Sequence, residues 1–399
     1  MSEQVKAESL ILAEGQYYSM DCYETQLNNN VLIVGAAGSG KTRSIVSPNI
    51  LQATGSYVIT DPKGQLHKKY GAYLEKRGYT VKVLDLIHPN DSACYNPFHY
   101  IKSTKDVIKM AHMFMDCSMQ QECVRVDPFW EEADEMFLSA LIGYLHLHRP
   151  KHEQILKNIY KLMYACEIQE NYSEATNALD RIFRELEKKD KDDFAAAQYK
   201  KFRQGAGKTL CSILISLSAR LGKYDYPEFH KMTESDNIDL GNIGKEKTAV
   251  FVIISDKDRS MDGFANIFYS QAMDELCRVA DDECEDGRLP IPVRFILDDF
   301  ATNCKITDFP RMISSIRSRG ISTMMILQCE AQLQNCYGPD GRTIIANCDS
   351  YVYLGGNDLE TAEAISKRCD VPLGKILYMP IGTNWIFRRG QRPVNGKNF

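Results

Sequence analysis

VLIVGAAGSGKT, residues 31–42, decides how the rest of the chain is read. Four apolar residues run into Gly35, and from Gly35 to Thr42 the spacing is Gly-x-x-x-x-Gly-Lys-Thr. An apolar strand that feeds a glycine-rich loop and then a helix is the context in which this spacing binds phosphate. Gly35, Gly38 and Gly40 let the backbone curl until successive N–H groups point at one anion, with Ser39 in the same loop. The helix that follows adds the positive end of its dipole. Lys41 brings a point charge to the β- and γ-phosphates, and Thr42 offers a hydroxyl to Mg²⁺. The stretch therefore predicts a nucleotide site that also takes Mg²⁺.

Working outward, short apolar runs recur, each closed by turn residues: VLIV (31–34), YVIT (57–60), VKVLDL (81–86), AVFVII (249–254), VRFIL (293–297), STMMIL (322–327) and SYVYL (350–354). Unbroken apolar runs of this length read as strands buried on both faces, and helical patterns lie between many of them. That alternation predicts an α/β fold with a mainly parallel central sheet. Residues 101–245 break the rhythm and hold no strand pattern. EEADEMFLSALIGYLHL (131–147) sets Met136, Phe137, Ala140, Leu141, Tyr144 and Leu145 on one helical face. RIFRELEKKDKDDFAAAQYKKFRQ (181–204) reads as a charged, solvated helical run. The expected organisation is a nucleotide-binding domain over 1–100 and 246–399, with an all-alpha domain inserted at 101–245.

The remaining candidates lie at strand ends, where such sheets bind ligands. VRFILDDF (293–300) ends in Asp298 and Asp299. Asp298 is expected to hold Mg²⁺ through its water shell, and Asp299 to orient or deprotonate the attacking water. In RMISSIRSRGISTMMILQ (311–328), Gln328 closes a strand and is placed to sense the γ-phosphate. Arg311, Arg317 and Arg319 precede that strand; an arginine supplied by a neighbouring subunit stabilises charge on a transferring phosphoryl group. Surface solubility or a structural ion pair is the other reading of these arginines. Asp61 and Lys63 of ITDPKGQL (59–66) face the nucleotide, a subunit boundary or only their own turn. A second GAGKT at 205–209 has Phe202 where the first glycine belongs, and no strand precedes it. It reads as a break between helices.

The 399 residues are 44% hydrophobic and 25% charged, as in an ordinary soluble protein. A net charge of −5 and pI near 6.0 give no global basic signature, so any nucleic-acid contact is local. Lys and Arg residues in 181–224 and 256–260 are the candidates. No window is apolar enough to cross a membrane, and the early acids of MSEQVKAESLILAEG rule out a signal peptide. Thirteen scattered cysteines without a C-x-x-C pair read as reduced thiols, so a cytoplasmic location is expected. His146, His148 and His152 cluster without a zinc pattern around them.

GAAGSGKT, ITDPKGQL, ACYNPFHYI, DPFWEEADEMFL, QGAGKTLCSILIS, VRFILDDFAT, SSIRSRGIS and ILQCEAQLQNCYG, in this order, resemble the cytoplasmic part of VirD4/TraG-like type IV secretion coupling proteins. The likeness is greatest to those of Gram-positive conjugative elements and runs from about residue 28 to 390. It implies a RecA-like P-loop ATPase domain with an all-alpha domain, assembled as a hexameric DNA pump. Such a pump is related to FtsK and HerA translocases and works at the cytoplasmic face of the membrane. It also implies as partners DNA (single- or double-stranded, without sequence preference), relaxase and relaxosome proteins, and the secretion channel. The hexamer is the expected active form, and both hexamer and monomer stay open for the chain without DNA or membrane. The family's Walker A residues fall on Gly35, Gly40, Lys41 and Thr42, its Walker B aspartate on Asp298, its glutamine on Gln328 and its trans-acting arginine on Arg317. Two features depart from the family. Asp299 stands where glutamate is usual, which predicts slow hydrolysis. The usual amino-terminal membrane helices are missing, so either an anchor was removed or a soluble variant is recruited to the membrane. Three functions follow: an ATP-driven coupling protein, a nucleotide-gated substrate receptor with little hydrolysis, and an FtsK-like translocase.

Overall fold

All seven apolar runs form strands, and in six of them the side chains fill both faces of a pleated sheet; the run at 81–86 is the exception, an edge strand, Thr80–Asp85, in which only Leu84 is buried. The computed structural model describes residues 9–116, 128–168, 177–301 and 305–399. Residues 1–8 of the amino-terminal run, Asp127 of DPFWEEADEMFL and Thr302 of VRFILDDFAT lie outside them. Among the described residues the chain divides into two compact units. One comprises Met1–Val83, Asp239–Arg259 and Ala272–Phe399, and the other Leu84–Ile238 and Ser260–Gln271.

The first unit begins with a hairpin, β1 (Ser9–Ala13) and β2 (Gln16–Ser19). The central strands are β3 (Val31–Val34), β4 (Ser56–Pro62), β5 (Thr80–Asp85), β6 (Thr248–Ile254), β7 (Val293–Leu297), β8 (Ile321–Leu327) and β9 (Ser350–Tyr353). Two more, β10 (Thr383–Arg388) and β11 (Val394–Lys397), extend one edge, and the nine-stranded order is β11-β10-β9-β3-β8-β7-β4-β6-β5. The pairs β9/β3, β3/β8, β8/β7, β7/β4 and β4/β6 are parallel. β10 runs antiparallel to both β9 and β11, so the sheet is mixed at that edge. β10 and the opening hairpin escape the apolar-run search for a physical reason. In TNWIFR only alternate residues are buried, as in a strand with one wet face.

β3 lies between β8 and β9, and all four of its side chains are fully buried. Val31 and Ile33 share a face with Ile59, Phe251, Ile296, Ile326 and Val352, against Ile45, Val46 and Ile50 of the segment after the loop. Complete burial of each such side chain stabilises by roughly 1.5–3 kcal/mol. Asn49, on the helix Ser47–Leu51, joins β1 to this layer: its amide donates to the Ile11 carbonyl at 2.8 Å and accepts from the Ile11 N–H at 3.1 Å. At the start of β3, buried Asn30 accepts from the Thr323 N–H at 3.0 Å and so fixes β3 against β8.

The second unit is helical among the described residues. The helix Pro128–His148 is longer than the pattern at 131–147, and its burial is wider than one stripe: Leu138 and Ile142 are fully buried along with Phe137, Ala140 and Leu141. A helix buried nearly all round is central to its unit. The charged run at 181–204 is two helices, Ala178–Lys189 and Phe194–Phe202; Asp193 caps the first turn of the second and accepts from the Ala196 N–H at 2.8 Å. Several of its cations are structural. Arg203 pairs with buried Asp180 through two bonds of 2.9 and 3.2 Å, and Lys200 pairs with Glu187 at 2.6 Å. Arg220 meets Asp134 at 3.2 Å, and Ser216 donates to the same carboxylate at 2.7 Å. Asp134 is inaccessible, and burial pushes its carboxyl up to about 6.

Candidate functional site

Gly35 to Thr42 leaves the carboxyl end of β3 as a curled loop anchored on both sides. The Gly35 N–H donates to the Leu327 carbonyl at 3.1 Å and the Ala36 N–H to the Gly355 carbonyl at 2.9 Å, so the ends of β8 and β9 hold its first turn. Gly38 and Gly40 sit at φ +76° and +90°, a region that costs an L side chain about 1–2 kcal/mol. A Cβ on Gly35 would lie 2.6 Å from the Ser39 hydroxyl, whereas one on Gly38 would meet open space. The Ser39 Oγ is itself buried without a hydrogen-bond partner. An enclosed orphan hydroxyl beside a concave run of N–H groups fits an anion with several acceptor oxygens. The helix begins with a wide turn, Thr42–Val46, an irregularity common at functional sites.

Lys41 is only 9% exposed, and its Nζ donates to the Gly35 carbonyl at 2.5 Å and the Ala36 carbonyl at 3.0 Å. The ammonium thus spans the loop's own curl. Burial lowers its pKa, and the charges of Asp299 and Asp298 oppose that. The Thr42 hydroxyl donates to Asp298 Oδ2 at 3.1 Å, which brings the end of β7 to the start of the helix although 256 residues separate the two. Asp298 is 9% exposed; burial, and then the charge of Asp299, push its carboxyl up. The Asp299 N–H donates to Asp298 Oδ1 at 3.1 Å, and Asp299 has φ +50°. Aspartate tolerates that left-handed backbone better than most residues because its short polar side chain bonds locally. Two carboxylates beside one lysine leave negative charge in excess. A hydroxyl and a carboxylate that already touch suit Mg²⁺, which prefers oxygen ligands and retains water.

The other candidates divide. Gln328 directly follows β8, next to Gly35, and is exposed; its N–H donates to the Gln332 side chain at 2.6 Å. Asp61 serves a local role: it is inaccessible and accepts from the Leu66 and His67 N–H groups at 2.9 and 2.7 Å, capping the helix Gln65–Glu75. Burial raises its pKa against those two bonds. Lys63 pairs with Asp256 at 2.8 Å. Arg317 lies before the amino end of β8, the far end from the loop, a separation of roughly 20 Å at the usual ~3.3 Å rise per strand residue. Its guanidinium donates to the Cys22 carbonyl at 2.8 Å and lines a cavity with Asp21, Tyr23 and Arg288. Arg319 pairs with Asp281 at 2.7 Å. The second GAGKT joins the helices Phe194–Phe202 and Gly207–Gly222, with Lys208 exposed.

One neighbour of the loop carries no sequence signal. The Asn398 amide, just past β11, donates to the Ser39 carbonyl at 3.4 Å. No spacing rule links residues 359 apart; only the placement of β10 and β11 on the β9 edge does.

Residues 3–371 match the family model described as type IV secretory system conjugative DNA transfer. No curated protein sequence matches the chain. Among solved structures it resembles the bacterial conjugative coupling protein TrwBdeltaN70 in its trigonal form with sulphate (TM-score 0.72, 16% identity, 99% of this chain and 90% of that one). It also resembles plasmid coupling protein TrwB in complex with the ATP analogue ADPNP (0.71, 17%, 99% and 89%). A further likeness is to VirB4 of Thermoanaerobacter pseudethanolicus (0.60, 12%, 98% and 96%). At these identities the likeness is one of fold, the α/β, RecA-like P-loop architecture.

Proposed function

The chain belongs to the type IV secretory system conjugative DNA transfer family, and from that premise we propose that it is an ATP-hydrolysing coupling protein. In this reading it receives a relaxase–DNA complex and drives DNA into the secretion channel as a hexamer at the cytoplasmic face of the membrane. The observation that carries the proposal is the 3.1 Å bond between Thr42 and Asp298, which joins the phosphate loop to a second strand end in the manner a nucleotide–metal site requires. Gly35, Gly38, Ser39 and Gly40 cradle the phosphates with backbone N–H groups. Lys41 exchanges its two carbonyl partners for phosphate oxygens. Thr42 and Asp298 hold Mg²⁺, which supplies charge neutralisation when bound. Asp299 orients the attacking water as base, and Gln328 senses the γ-phosphate from the end of β8. Arg317 is a strand's length from its own loop, so its part at a phosphate site is in a neighbour's.

The test is hydrolysis with and without DNA, with mass measured in the same solutions. The proposal expects DNA-stimulated turnover that rises with assembly and collapses in Arg317→Ala despite intact ATP binding. Unassembled chains that hydrolyse ATP at the full rate would sink it. A second reading, a nucleotide-gated receptor with little hydrolysis, draws on Asp299, where a longer carboxylate is usual. Glutamate bears φ +50° less readily than aspartate, so the coupling-protein reading expects Asp299→Glu to gain no more than about threefold. A gain of tenfold or more favours the receptor.

A further inference from the structure

The phosphate loop accounts for one end of a nucleotide; the other end needs a surface of different chemistry. Two segments approach the loop from the β9–β10 edge. Past β11, the Asn398 amide donates to the Ser39 carbonyl at 3.4 Å, and a Cβ on Gly40 would lie 3.8 Å from the same amide nitrogen. The Asn398 N–H donates to the Gly382 carbonyl at 2.8 Å, and its Oδ1 accepts from the Asn384 amide at 3.1 Å. The turn before β10 is therefore tied to the end of β11, and both to the loop. On the other side, Gly355, whose carbonyl receives the Ala36 N–H, has the Met379 sulfur 3.3 Å from where its Cβ would be.

These tethered segments carry unusual side chains. Ile381 is 100% exposed and Tyr378 86%, more than any other large apolar residue among the described ones, and Phe399 is 52% exposed. Single exposed apolar residues need no explanation. These three lie on segments that run beside the loop, next to Asn398, Gly382 and Met379, where an exposed apolar face is available to a flat apolar group. A base accepts stacking on an aromatic face whatever its hydrogen-bonding edge.

Resting on the reading that Gly35–Thr42 holds a nucleotide's phosphates, we propose that Tyr378, Ile381 and Phe399 form the platform that holds its base, by stacking and with little choice among bases. Phosphate loop and platform then contribute separately to affinity, the first reading the triphosphate and the second the base.

Calorimetric titration of the full chain with Mg²⁺ separates them, with ATP and inorganic tripolyphosphate as the two probes. All three side chains are exposed, so a Tyr378→Ala, Phe399→Ala double variant is expected to fold. It should bind ATP about tenfold more weakly and tripolyphosphate as wild type does. Lys41→Ala should weaken both probes together. Wild type should bind ATP and GTP within about threefold. An unchanged ratio of ATP to tripolyphosphate affinity in the double variant overturns the platform and leaves the loop reading standing. So does a variant whose self-association weakens while each subunit binds ATP normally, since the apolar patch then belongs to a second copy. If wild type binds neither probe, or Lys41→Ala binds both normally, the loop reading is what fails.

Discussion

Residues 35–42 and 205–209 share the letters Gly-x-Gly-Lys-Thr, and the structure gives them opposite surroundings. The first follows a fully buried strand, holds two glycines at positive φ and buries its lysine over its own carbonyls. The second follows a helix that ends in Phe202, begins another helix at Gly207 and leaves Lys208 in solvent. What differs is what precedes the motif. A strand in mid-sheet delivers its last N–H groups to a point where neighbouring strand ends converge. A helix-to-helix turn has no such neighbours.

The largest expected effect follows directly. Lys41→Ala should lower ATP turnover by about 10²-fold or more, and Lys208→Ala should leave it within about twofold. Comparable losses from both would erase the distinction. Next, Asp298→Asn or removal of Mg²⁺ with chelator should each cost about 10²-fold, with excess Mg²⁺ partly restoring the variant. Turnover that ignores chelator would break the pairing of Thr42 with Asp298.

A smaller contrast concerns stability. Gly40→Ala places a Cβ at φ +90° and 3.2 Å from the Ser44 hydroxyl, and should destabilise by about 1–2 kcal/mol. Gly205→Ala meets the end of the Leu210 side chain at 3.0 Å and the Phe202 carbonyl at an ordinary 3.6 Å, and should cost under about 1 kcal/mol in the same denaturant titration. The remaining contrast is one of pH, in the helical unit that carries the second motif. Asp134 keeps its proton to about pH 6 when folded, against about 3.9 in an unfolded chain. Unfolding releases that proton between those values, so its contribution to stability falls as pH rises from about 4 to about 6 and is flat above. Asp134→Asn should flatten the melting curve over that window, and an unchanged slope would remove Asp134 as its source.

Much of the fold was legible because the central strands are buried on both faces and read as continuous apolar runs. The β10 side was not, because β10 alternates; nor was the separate opening hairpin, because β1 is too short an apolar run to stand out. The helix Pro128–His148 was legible as a helix, but the width of its buried face depends on what packs around it. In the candidate site, the placing of Gly35 to Thr42 and of Asp298 at strand ends could be read from spacing and strand context. Asp61 could not, since a carboxylate after a strand looks the same whether it faces a ligand or caps the next helix.

By itself, the order of residues determined the glycine-rich loop and the strands, because these rest on local periodicity and on backbone freedom at glycine, while the family was legible from the likeness of its ordered motifs. Only tertiary structure decided that Thr42 meets Asp298, that Arg317 stands at the opposite end of the sheet from its own loop, and that Asn398 abuts Ser39. Each of those depends on strand order across hundreds of residues, and strand order is set by how whole layers bury one another rather than by any residue's neighbours in sequence.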